Sequence, residues 1–196
     1  MGDIKSALEI AMEKVEKLEE ATAEECLRWK YVPEGEKLAA RYLKQDYNLA
    51  VELGKYEEKV TKYVIEGAAD ILIRNISLPK NDLTRQNNKR AMDGLKMVKS
   101  DKVGVENVYS KMRRIFNHYV EQGERQKKQA YERLKTEFEA KVQQAIQQQL
   151  GSLVGFKVDV ERQPQFQEEW HKLEARLDLQ YIKLLDEYKQ ELSNVA

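Results

Sequence analysis

The sequence predicts an all-α fold, an elongated antiparallel bundle of long coiled-coil-like helices with at most one short strand near residues 156–160. Three observations carry this. Charged residues make up 35% of the chain, and Glu, Lys, Gln, Leu and Ala dominate it. These side chains lose little rotamer freedom in a helix, and such a composition with helical periodicity marks long helices. Only Pro33, Pro79 and Pro164 punctuate the 196 residues. Apolar residues recur at alternating spacings of three and four, a stripe too regular for a solvated, disordered chain.

Five helices follow in order, over about 3–30, 34–77, 82–99, 104–150 and 165–193, read as a single elongated domain spanning 1–196. In the first, Ile4, Leu8, Ala11, Val15, Leu18 and Thr22 form a heptad stripe. It is expected to end near Tyr31, because Pro33 disfavours helical geometry at the preceding residue. Pro33 would then open a second, very long helix with Glu34 and Glu36 in its first turn. Leu49, Leu53, Tyr56, Val60 and Tyr63 keep its rhythm, and Gly54 and Gly67 count only as isolated costs of about 1 kcal/mol each. Pro79 stops it. Asn81 or Asp82 caps the third helix, with Leu83, Ala91, Leu95 and Val98 apolar.

The fourth helix starts after Gly104 on the stripe Val105, Val108, Met112, Ile115 and Tyr119. Between Glu121 and Gln129 the stripe vanishes into residues polar all round, which predicts an exposed section with a bend at Gly123. It resumes at Ala130, Leu134, Phe138, Val142 and Ile146. Phe156, Val158 and Val160 alternate with charged residues, which fits a short strand or an extended loop packed on the bundle. After Pro164, the run Phe166, Trp170, Leu173, Leu177, Tyr181, Leu184, Tyr188 and Leu192 marks the last helix.

The sequence argues against several classes of function. Cys26, the single cysteine, excludes an intrachain disulfide and a cysteine-based zinc site. With Glu24 and Glu25 beside it, core packing suits it better than nucleophilic chemistry. The glycines at 151 and 155 match no phosphate-binding loop. Glu168 and His171 have the Glu-x-x-His spacing of di-iron bundles, but Ile115 stands where His118 would need its own Glu, so no metal site and no cofactor are expected. The most apolar stretch, Ile71-Leu72-Ile73, is too short to span a membrane, and no signal peptide pattern opens the chain. A cytoplasmic setting follows as the expectation. The tyrosines at 42, 56, 63, 119, 131, 181 and 188 read as helix-interface residues rather than as a ligand cage.

Charge is uneven. Residues 1–60 carry 10 basic groups against 14 acidic, residues 81–135 carry 14 against 7, and residues 136–196 carry 7 against 11. A basic middle would fold against its acidic flanks or face an acidic partner. Long amphipathic helices gain little stability alone, and unequal lengths leave seams in need of a partner. The expected function is therefore a non-enzymatic structural or adaptor protein acting by helix–helix, coiled-coil pairing, including self-association as a homodimer. Its interface would use Leu49, Leu53, Tyr56, Val60, Leu134, Phe138 and Val142. The alternative is a nucleic-acid-associated protein using the basic segment 85–128, with contacts from Arg85, Lys89, Arg90, Arg113 and Arg114. A second alternative is a metal- or ligand-binding bundle.

Overall fold

The computed structural model of the chain describes residues 22–45, 47–150 and 159–196, and every regular element among them is a helix. The first predicted stripe, Ile4 to Leu18, lies outside the described residues. The chain divides into two compact units, Met1–Leu72 and Ile73–Ala196.

In the first unit, α1 spans Ala23–Lys44, α2 spans Leu49–Leu53, and α3 spans Glu58–Arg74 and runs on past the unit boundary. Thr22 caps α1 rather than continuing a stripe. The Glu25 N–H donates to Thr22 Oγ1 at 3.2 Å, and the Thr22 N–H donates to Glu25 Oε2 at 2.7 Å. This reciprocal pair satisfies donors that the first helical turn would otherwise leave open.

Three expectations fail here. The helix runs straight through Pro33, which lies on an exposed face where water can satisfy the carbonyl that proline leaves without a donor. The single helix over 34–77 is instead three elements. Asn48 accepts from the Val51 N–H at 3.2 Å and so starts α2 afresh, and Gly54 ends it. The spacing of Leu49, Leu53, Tyr56 and Val60 persists across that break because each segment turns its own apolar side inward. Cys26, expected in the core, is exposed on the first turn of α1.

The two long helices of this unit cross where both lack side chains. A Cβ on Gly35 would lie 1.9 Å from the Val64 carbonyl oxygen, and one on Gly67 would lie 2.0 Å from that of Val32. Val32-x-x-Gly35 and Val64-x-x-Gly67 share one spacing, so each valine carbonyl rests on the other helix's glycine. Such an approach is the geometry of Cα–H···O contacts. Around it Ala39, Tyr42, Leu49, Leu53, Val64, Ala68 and Leu72 are buried. Arg28 pairs with Glu66, and Lys62 with Glu24 at 2.7 Å; all four are well exposed, so these pairs add little.

The second unit opens with a side-chain bracket. The Ser77 N–H donates to Asn88 Oδ1 at 2.9 Å, and Asn88 Nδ2 donates to the Ser77 carbonyl at 2.6 Å. Next come α4, Asp82–Val98, capped by Asn81, and α5, Lys102–His118, capped by Asp101. A π-helical turn, Tyr119–Gly123, joins α5 without a break to α6, Glu124–Leu150. A 3₁₀ turn, Val160–Arg162, precedes α7, Pro164–Asn194. The predicted spans 82–99, 104–150 and 165–193 agree with these to within two residues. Most of the strand predicted near 156–160 lies outside the described residues; at its end Val160 is buried in the 3₁₀ turn.

Helix α7 runs antiparallel to α5–α6. Lys111 meets Glu191 at 2.7 Å, Tyr119 packs edge-on to Tyr181, and Lys127 meets Asp178 at 3.0 Å. Farther along, Tyr131 and Phe138 both pack edge-on to Phe166. The end of α7 is held at the α4–α5 turn, where the Asp101 N–H donates to the Ala196 carbonyl at 2.9 Å and the Lys99 ammonium donates to that of Ser193 at 3.1 Å.

Candidate interaction surfaces and a buried ion cluster

The polar stretch 121–129, expected to be exposed, contributes two buried residues to the α5–α6/α7 seam, Gly123 and Lys127. The π turn explains how. At about 100° per residue, eight residues would leave Lys127 about 80° round the helix from Tyr119; the extra residue that a π turn absorbs cuts this to about 20°. Lys127 thus comes to lie beneath the Tyr119 ring.

Its ammonium donates to Tyr119 Oη at 2.7 Å and pairs with Asp178 Oδ1 at 3.0 Å and Glu174 Oε1 at 3.3 Å. The Tyr119 hydroxyl in turn donates to Asp178 Oδ1 at 3.1 Å, and Lys80 reaches Asp178 Oδ2 at 2.6 Å from the segment before α4. Tyr119, Lys127 and Asp178 are 0%, 7% and 2% exposed, so each charge depends on the others. Burial favours the neutral forms of Lys127 and Asp178, but hydrogen bonds outweigh it: Tyr119 and then Asp178 hold the lysine above its usual pKa, and Lys80 and then Lys127 hold the aspartate below. Burial pushes the Tyr119 phenol up to about 12, against the pull of Lys127. With its groups satisfied by one another, the cluster pins the hairpin and presents no reactive atom.

Beyond the cluster the α6–α7 hairpin is, among the described residues, only two helices wide. On one side it leaves an open groove of about 390 Å³, with Ala130, Leu134, Leu173 and Leu177 along the bottom and Arg133 and Glu137 on the α6 flank. Leu134, Phe138 and Val142 are half-buried, so α7 covers them in part. Arg133 and Glu137 are exposed and have no ion-pair partner among the described residues. The other predicted interface residues lie in the first unit. Leu49, Leu53 and Val60 are enclosed there, and half-buried Tyr56 packs edge-on to Tyr31.

A second concavity, about 400 Å³, lies between α4 and α5. It gathers Arg85, Lys89 and Arg113 from the predicted nucleic-acid set. Arg85 is paired with Asp82 at 3.1 Å, and Arg113 with Glu106. Arg114 points to the opposite face of α5, in a cleft with Tyr181 and Tyr188, and half-buried Arg90 does not line the concavity. The five cations therefore do not form one basic surface.

Glu168 bonds Lys172 at 2.6 Å beside an exposed His171, and His118 Nδ1 lies 3.0 Å from the Tyr181 hydroxyl. Among the described residues no group of three His, Cys, Asp or Glu side chains is placed to hold a metal ion, and no helix is long and apolar enough to cross a membrane. Sequence reasoning missed Lys127 and Asp178. The available signal was spacing: Tyr119, Gly123, Lys127 and Tyr131 continue the stripe at intervals of four, as a π turn requires.

No curated protein and no solved structure matches the chain. A family model does match, over residues 50–194, which takes in α4 to α7, both concavities and the ion cluster. On that match, the chain belongs to the family of unknown function DUF6657.

Proposed function

We propose that the protein is a non-enzymatic structural or adaptor component that works by helix pairing, and that the α6–α7 groove seats the same hairpin of a second copy. One observation carries the reading: among the described residues the hairpin is two helices wide and leaves the Ala130–Leu134–Leu173–Leu177 seam open on one side. A two-helix seam gains further burial only from another helix laid along it.

The choice of a second copy rests on the flank. Arg133 and Glu137 are one turn apart, opposite in charge and without an ion-pair partner among the described residues. A twofold axis between them sets each against its opposite on the other copy, as an isologous interface requires. The exposed thiol of Cys26 fits the reducing cytoplasm, where we place the protein.

Sedimentation and light scattering test the reading. The full chain should be a dimer, and Leu134→Glu should make it monomeric with helicity unchanged. Arg133→Glu should weaken the dimer, and adding Glu137→Arg should restore it. A monomeric parent, or a double variant no better than the single, would overturn the proposal.

A further inference from the structure

The concavity between α4 and α5 has the form of a trough. It runs from Lys96 at one end to Arg85 at the other along α4, and at about 1.5 Å per residue this is roughly 16 Å. Pro79, Met92 and Tyr109 are buried in its floor, and Phe116 and Val120 are half-buried beside them. The Tyr109 hydroxyl is spent inward, donating to the Met92 carbonyl at 2.7 Å, so it offers the trough no free donor. Burial holds that phenol in its neutral form.

The rim is cationic, and its four cations differ. Glu106 ties Lys96 to Arg113, pairing with Lys96 at 2.7 Å, and Arg85 is held by Asp82. Lys89 alone among them has no ion-pair partner among the described residues. Asp93 is the one acid that lines the trough.

We infer that this trough is a binding site for an anionic amphiphile: an extended hydrocarbon chain along the floor, with its carboxylate or phosphate head against Lys89. The volume of about 400 Å³ lies within the range of small-molecule sites, and an apolar lining with a few convergent polar groups is their usual construction. A floor that follows one helix for roughly 16 Å suits a flexible chain better than a compact ring system. A free ammonium at the rim discriminates for charge, because a neutral head leaves it nothing to pair with. This inference is independent of the dimer proposed above, since the trough and the α6–α7 groove share no residue.

The probe is decanoate, titrated into the full chain by calorimetry and by displacement of an anilinonaphthalene sulfonate dye, with decanol as the neutral match. Saturable 1:1 binding of decanoate, at least tenfold tighter than decanol, is the expected result. Lys89→Glu, an exposed change that leaves the fold intact, should weaken decanoate at least tenfold. Arg114→Glu makes the same charge change on the opposite face of α5 and should leave binding unaltered. Equal affinity for decanol, or equal loss in the two variants, would overturn the assignment. Displacement of the dye by a short single-stranded DNA but not by decanoate would also overturn it, and would return these cations to nucleic-acid binding.

Discussion

The two units hold their helices together by opposite means. Where α1 crosses α3 the contact consists of missing atoms: two glycines let two backbones meet, and nothing larger fits. Where α5–α6 runs along α7 the contact is crowded with Tyr119, Tyr181, Lys127, Asp178, Tyr131 and Phe166. The first contact depends on sterics, so enlargement should break it. The second depends on charges buried together, so removing a partner should break it. The comparison also shows that a polar residue on a helix is not thereby a surface residue.

The largest effect is expected at the crowded seam. Lys127→Met leaves Asp178 buried with Lys80 and the Tyr119 hydroxyl but without its buried cation, and should cost about 3–5 kcal/mol. Denaturant unfolding read from Trp170 in a Trp29→Phe background reports this unit alone. The pH profile follows from the signs. Asp178, with its pKa lowered, contributes stability that is present above its unfolded value of about 3.9 and is lost as pH falls through its folded value. Lys127 and Tyr119, both raised, contribute stability that is complete below their unfolded values of about 10 and is lost as pH rises beyond them. The parent should therefore lose stability at both extremes, and Lys127→Met combined with Tyr119→Phe should flatten the alkaline limb. An unchanged limb in that double variant would remove the pair from the account.

At the sparse crossing, Gly67→Ala should cost about 2–3 kcal/mol, since the added methyl meets a backbone carbonyl that cannot rotate away. Hydrogen exchange should speed up in α1 and α3, and Trp170 should report no change. Equal loosening in both units would show that they unfold as one. The smallest change expected is Thr22→Ala, which removes the α1 cap for about 1 kcal/mol. It should fray the first turn of α1 in exchange measurements and leave the crossing itself protected.

How much could be read in advance divides along the same line. Helices α4 to α7 were legible because an apolar stripe marks each of them, with Pro79 and Asn81 before α4, Asp101 at the start of α5 and Pro164 opening α7. Pro33 misled, since its local preference is weaker than the packing that Gly35 and Gly67 allow on either side of it. Asn48, Gly54 and the Thr22-x-x-Glu25 box were readable signals, overruled by a stripe that crosses the break without a change of rhythm. Lys127 was hidden for a plainer reason: periodicity scores a lysine as surface, and only its neighbours in three dimensions reveal otherwise. Of the surfaces, Leu134 could be singled out from its stripe. The trough could not, because its floor and rim come from two helices whose register no single stripe records.

The π turn has a genetic consequence. It works as a single inserted codon that is absorbed without turning the face of the 27 residues of α6. Deleting one residue between Tyr119 and Gly123 would close this turn as ordinary α-helix and leave the face of α6 where it is, because seven residues at about 100° each bring the lysine to the same side of Tyr119. The same deletion farther along α6, where no turn holds a spare residue, would rotate everything beyond it by about 100°. Among related chains, single unmatched gaps would be expected in this turn and not in the helix after it.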